Sequence, residues 1–144
     1  MRIKGGINHI TLRVKSLKRA ESFYSGVLGL KKVGQRIGIH FYSSGHYNHE
    51  LALIEDPNIT LSKIQQSGLA HIAFNLEDEQ SLKVLYQILI DSEYPVSNGV
   101  NHNISHSFYT RDMDGYTIEL TTDCDRKEWE QEPYAFEWDK PLEL

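Results

Sequence analysis

The chain has a single cysteine, Cys124. One thiol cannot close an intrachain disulfide, which fits a reducing cytoplasm. Positive charge is also scarce: 15 Lys and Arg stand against 20 Asp and Glu, for a net charge of −5. A nucleic-acid partner needs a basic surface to meet its phosphates, so none is expected. No apolar run approaches the ~20 residues of a membrane span, so no membrane association is expected. The opening Met1-Arg2-Ile3-Lys4-Gly5-Gly6 lacks the apolar core of a signal peptide. These absences lead to the expectation of a cytoplasmic protein that handles a small molecule.

What is present is ordinary in amount and unusual in pattern. The 144 residues, 40% hydrophobic and 24% charged, fit one compact domain with a real core. Gly68-Leu69-Ala70-His71-Ile72-Ala73-Phe74 is a short apolar stretch carrying one histidine. Ile7-Asn8-His9-Ile10-Thr11-Leu12 has the same cadence 62 positions earlier. A repeat of this kind dictates the architecture.

The periodicities support it. Residues 8–14 alternate, with His9, Thr11 and Arg13 on one side and Ile10, Leu12 and Val14 on the other, which predicts a strand. Ser16 offers an N-cap to a helix with Leu17, Ala20, Phe23, Tyr24, Val27 and Leu28 at helical spacing, stopped by Gly29. Residues 31–37, 39–42 and 49–55 predict three strands, the first two joined tightly near Gly38. After a connection over 56–67, with a helical turn at 61–64, the order recurs. A strand at 69–76 and a helix at 79–90 lead to strands at 96–100, 105–111 and 116–122, the last two joined by an Asp114-Gly115 turn. Two βαβββ modules are therefore expected, over 5–56 and 68–122, with a linker at 57–67 and a tail at 123–144. The fold class is α+β: a curved mixed sheet with helices outside and a ligand cavity on its concave side.

Three residues carry the candidate chemistry. His9 and His71 occupy matched places in the repeat. Glu119 lies between Ile118 and Leu120, where burying a carboxylate is costly unless it is paired or bound to a cation. Two imidazoles and one carboxylate make the facial triad suited to non-haem Fe(II), with coordination positions left open. Blander readings stand beside this one. Either histidine alone fits a core residue hydrogen-bonded to backbone, and Glu119 alone fits a partner of Arg111. His49 fits an exposed strand end, His46 a loop, and His40 the surface.

The motifs resemble those of the vicinal oxygen chelate superfamily, the group of glyoxalase I, bleomycin-resistance proteins and extradiol dioxygenases. Residues 8–14, Ala20-Glu21-Ser22-Phe23-Tyr24 and Val27-Leu28-Gly29-Leu30 resemble its first module, and 68–74 the start of its second. Asp112-Met113-Asp114-Gly115-Tyr116-Thr117-Ile118-Glu119-Leu120 is similar to its "DPDG-x-x-IEL" ending, with Met113 where proline is usual. Three stretches look like the catechol 2,3-dioxygenase-like branch. They are Asn48-His49-Glu50-Leu51-Ala52-Leu53 ("HHxLA"), residues 100–109 ("DHGVSxSFY") and residues 123–129 ("DRPxxEW"). Asn48 replaces a histidine, Asn101 an aspartate, and the last stretch lacks its proline.

That resemblance implies metal ligands at His9, His71 and Glu119. It also implies an acid/base histidine at His49, a substrate-side Tyr109 and a further substrate or ligand-supporting histidine at His102. The metal implied is Fe(II), with Mn(II) or another divalent ion as substitute. The implied reaction is ring cleavage of a small catechol-type aromatic with O2, in a homo-oligomer. Glyoxalase-type members take a fourth ligand from the strand containing Glu50, which leaves His49 or Glu50 open as an added ligand. The rival classes are a glyoxalase-like lyase or thiol transferase with another divalent metal, and a metal-free drug-binding module. The triad argues against the last. The tail, with Trp129, Tyr134, Phe136 and Trp138, is expected to cover the cavity mouth or join a partner subunit.

Overall fold

The structure, a computed structural model, describes residues 7–125, 127 and 139–144. The chain divides into two compact units, Met1–Ile64 and Gln65–Leu144. Each is built around its own sheet.

The first unit runs β1 (Ile10–Val14), α1 (Leu17–Tyr24), β2 (Lys31–Arg36), β3 (Ile39–Ser43), β4 (Leu51–Glu55) and most of the short α2 (Leu61–Gln65). Its four strands lie in the order β1-β4-β3-β2, with β1 and β4 parallel and the other pairs antiparallel. Helix α1 starts where Ser16 Oγ accepts the Arg19 N–H at 3.5 Å. It buries Leu17, Ala20, Phe23 and Tyr24, but ends there, so Val27 and Leu28, expected on the same stripe, lie half-buried in the turn that follows. Full burial of a side chain such as Phe23 stabilises by about 1.5–3 kcal/mol. Gly38, at φ +73°, makes the tight β2–β3 turn.

The second unit repeats the order as β5 (Ile72–Asn75), α3 (Glu79–Asp91), β6 (Gly99–Asn101), β7 (Ser105–Arg111) and β8 (Thr117–Asp123), and adds β9 (Lys140–Leu142). The sheet order is β5-β8-β7-β6-β9, with β5 and β8 parallel. Asp78 caps α3 by accepting the Ser81 N–H at 2.7 Å, and Leu82, Leu85 and Leu89 form its buried stripe. Tyr86, predicted on that stripe, is half-buried and meets Phe108 edge-on at 5.0 Å between centroids.

Element bounds differ from the sequence expectation. The strands β1, β4 and β5 begin two or three residues late, so His9, His49 and His71 all stand just before a strand rather than within one. Also, the strand expected at 96–100 is confined to Gly99–Asn101, and β9 from the tail pairs antiparallel along it. Pro141 suits that outer position, where a missing N–H costs nothing. The tail aromatics Trp129, Tyr134, Phe136 and Trp138 lie outside the described residues.

Candidate metal and substrate site

In the first unit, β1 and β4 bring two imidazoles together. The Ile10 N–H donates to the Glu50 carbonyl at 2.9 Å, extending the parallel ladder below Ile10↔Leu51. The His9 and His49 rings consequently sit 4.5 Å apart, with Phe41 edge-on to His49 at 5.2 Å. Each histidine follows an asparagine that fixes its ring. His9 Nδ1 bonds Asn8 Oδ1 at 3.0 Å, and His49 Nδ1 bonds Asn48 Oδ1 at 2.6 Å. An amide oxygen only accepts, so both Nδ1 atoms carry the proton and both Nε2 lone pairs remain available. The repeated Asn-His dipeptide was the sequence signal for this.

Glu50 is committed elsewhere. Its carboxylate accepts from Ser44 N–H at 3.0 Å, Ser44 Oγ at 2.7 Å and Tyr47 N–H at 3.3 Å, pinning the 44–50 loop. Burial opposes its ionisation, but the bonds from Ser44, Ser43 and Tyr47 outweigh this and hold its pKa below the usual range. The β4 residue that matches Glu119 in the repeat is Ala52: Thr11↔Ala52 corresponds to Ala73↔Glu119.

The second unit gathers more. Asp112 Oδ1 accepts three backbone N–H groups, from Asp114, Gly115 and Tyr116, at 3.0, 2.9 and 3.0 Å. This fixes the β7–β8 turn with Met113 in the usual proline position, and sets Tyr109 directly opposite Glu119. Glu119 is 8% exposed. Its Oε2 lies 3.0 Å from His71 Nε2, and its Oε1 lies 3.9 Å from His102 Nε2. Arg111 is exposed on β7, paired with Thr117 in the ladder, so the carboxylate is answered by imidazoles rather than by a guanidinium. The Tyr109 hydroxyl reaches His102 Nε2 at 3.3 Å, and its ring meets the His71 ring edge-on at 5.7 Å. Burial first, then the Glu119 charge, push the Tyr109 pKa up, so the phenol stays protonated.

Asp139 is the residue that sequence reasoning missed. Its Oδ1 lies 2.7 Å from His102 Nδ1. No signal in the chain linked them, because they stand 37 positions apart.

His46 is exposed in a loop, as expected. His40 lies at the surface, away from the candidate ligands. It is half-buried, 3.5 Å from Glu21 and 3.3 Å from the Tyr42 hydroxyl. It lines a surface hollow of about 590 Å³ with Lys18, Glu21, Ser22, Ser25 and Gly26, which includes none of the candidate ligands.

Among the described residues, no three His, Cys, Asp or Glu side chains are gathered as a metal site. The donor chemistry nevertheless fits a divalent ion. Two ligands about 2.1 Å from a metal and at right angles to one another stand roughly 3.0 Å apart. His71 Nε2 and Glu119 Oε2 have that separation. Uncompensated burial of a carboxylate costs several kcal/mol, which a cation or an imidazolium offsets.

Two units that repeat the order βαβββ, each with a histidine just before its first strand, define the class of fold. A sequence profile of the Glyoxalase/Bleomycin resistance protein/Dioxygenase superfamily matches residues 6–120. The chain belongs to that superfamily, whose members include dioxygenases and transferases, use divalent metals such as Fe, Mn and Mg, and typically act on small substrates as oligomers. The chain is 34% identical over 120 residues to the metallothiol transferase FosB of Staphylococcus haemolyticus, covering 81% of this chain and 83% of that one. It is 29% identical over 130 residues to the catechol-2,3-dioxygenase of Bacillus subtilis, covering 88% of this chain and 44% of the dioxygenase. Among solved structures, a glyoxylase/bleomycin resistance protein/dioxygenase domain from Frankia sp. EAN1pec superposes with a TM-score of 0.70 at 20% identity. The match covers 85% of this chain and all (100%) of that one, and speaks for the fold. No helix among the described residues is long and apolar enough to cross a membrane.

Proposed function

We propose that this protein is an extradiol dioxygenase, opening the ring of a catechol-type aromatic with O2 and using Fe(II), with Mn(II) as the substitute. The observation that carries the reading is the second-unit cluster. His71 Nε2 and Glu119 Oε2 stand 3.0 Å apart, and Tyr109 and His102 flank the same carboxylate. His71 and Glu119 would hold the metal, with His9 as the third ligand that the family resemblance implies. When bound, the metal supplies a Lewis acid and a template for two adjacent substrate oxygens.

The chain's own residues handle orientation and protons. Tyr109, kept as a neutral phenol, hydrogen-bonds a ring oxygen. His49, its Nδ1 held by Asn48, takes a proton from a substrate hydroxyl at Nε2 and returns it later. In this reading the protein is cytoplasmic and a homo-oligomer.

A metal-dependent thiol transferase is the second reading. It is favoured by the 34% identity over 83% of the transferase, against 29% over 44% of the catechol dioxygenase. Oxygen uptake by anaerobically Fe(II)-loaded protein, given a panel of catechols, separates the two. Uptake with the yellow absorbance of a ring-opened product supports the dioxygenase. Thiol-dependent product formation without oxygen consumption replaces it with the transferase.

A further inference from the structure

The tail strand delivers a carboxylate to the site. β9 pairs with β6 in the register Gly99↔Leu142, Val100↔Pro141 and Asn101↔Lys140. The next step of an antiparallel ladder sets residue 102 against residue 139. That step is where His102 Nδ1 meets Asp139 Oδ1 at 2.7 Å. The contact therefore follows from strand pairing and is not a chance approach of two surface side chains. Gly99 permits the pairing. A Cβ there would lie 2.5 Å from the Leu142 carbonyl oxygen and 2.9 Å from Leu144 Cγ, closer than atoms tolerate.

A carboxylate only accepts hydrogen bonds, so the ring nitrogen facing it must carry a proton. In a neutral imidazole the other nitrogen is then a lone pair. On His102 that nitrogen is Nε2, 3.3 Å from the Tyr109 hydroxyl. We infer that Asp139 is a positioning residue: it holds neutral His102 as the Nδ1–H tautomer, so that Nε2 accepts the Tyr109 proton.

The consequence lies at Glu119. The Tyr109 hydroxyl has two acceptors near it, His102 and the Glu119 carboxylate. With its proton directed to His102, the phenol does not occupy a Glu119 oxygen, and its own oxygen lone pairs face outward to accept. The value of this arrangement to turnover rests on the reading of Glu119 as a ligand and Tyr109 as a substrate contact. The tautomer itself does not rest on it.

The test is 15N NMR of the histidine side chains in the full chain, without added metal, at about pH 8 where an ordinary imidazole is neutral. His102→Gln identifies the signal. Wild type is expected to show His102 with Nδ1 protonated and Nε2 bare. Asp139 is largely exposed (its side chain is 62% exposed), so Asp139→Ala is expected to leave the thermal unfolding midpoint close to that of wild type. It is expected to shift the population towards Nε2–H. Gly99→Ala, which must displace β9, is expected to do the same with Asp139 intact. In the oxygen-uptake assay, Asp139→Ala is expected to lower kcat roughly 10- to 100-fold. A wild-type His102 carrying its proton on Nε2 overturns the inference. So does an Asp139→Ala or Gly99→Ala protein that keeps the wild-type tautomer. Absence of oxygen uptake with the tautomer as stated counts against the proposed reaction and leaves the role of Asp139 standing.

Discussion

The two halves of the chain share one strand lattice and fill it differently. Across β1, β4 and β3 one row reads Thr11, Ala52, Phe41. Across β5, β8 and β7 the matching row reads Ala73, Glu119, Tyr109. The strand pairing is the same, but the carboxylate and the phenol occur only in the second. The first half instead offers two imidazoles with free Nε2 atoms, each held by its own asparagine. The comparison teaches that the repeat supplies places, and that the chemistry in each place is chosen separately. It also shows why the second half sets His71 against its last strand: a buried carboxylate requires a partner that Ala52 does not.

Making the second row like the first is the strongest way to break this contrast. Glu119→Ala is expected to abolish stoichiometric metal binding while the fold, read by circular dichroism, persists. Metal analysis after anaerobic dialysis checks it, and one retained iron per chain would refute the ligand assignment. His49→Ala tests the first half's contribution. It should keep the metal and lower kcat about 100-fold, the size of a lost acid/base group. Full activity would place the proton chemistry elsewhere.

Smaller effects sharpen the contrast. Tyr109→Phe gives the second row the aromatic of the first and should cost about tenfold in kcat with metal retained, one hydrogen bond's worth. The reverse change, Phe41→Tyr, should leave kcat unaltered, and steady-state kinetics on both proteins decides the matter. A last difference is one of stability. Burial, and then Glu21, push the Tyr42 pKa up from 10.0 to about 12. The folded state thus favours the neutral phenol. Its contribution is complete below pH 10.0 and is lost as pH rises towards about 12, by up to about 2 kcal/mol. Urea unfolding across that interval should show the fall, and Tyr42→Phe should flatten it.

Much of this was legible along the chain. Period-two and helical spacing located the strands and both long helices, because the face that each element buries is written in its own local residues. Ser16 announced one helix start, and Gly38 and Gly115 the tight turns. The repeat singled out His9 and His71, and the apolar neighbours of Glu119 marked it as a buried charge.

The remainder depended on pairing between distant segments. Whether Glu119 meets Arg111 or an imidazole is a matter of ladder register, which no local window contains. Glu50 looked as free to bind a metal as His49 until the 44–50 loop closed on its carboxylate. Asp139 carries no motif at all. The amino-acid sequence by itself determined the two modules, their order and most of the ionisable groups at the site, because these follow from short-range periodicity and side-chain type. Only the tertiary structure decided which of those groups face one another. Hydrogen-bonded register converts a sequence separation of 37 residues into 2.7 Å between His102 and Asp139.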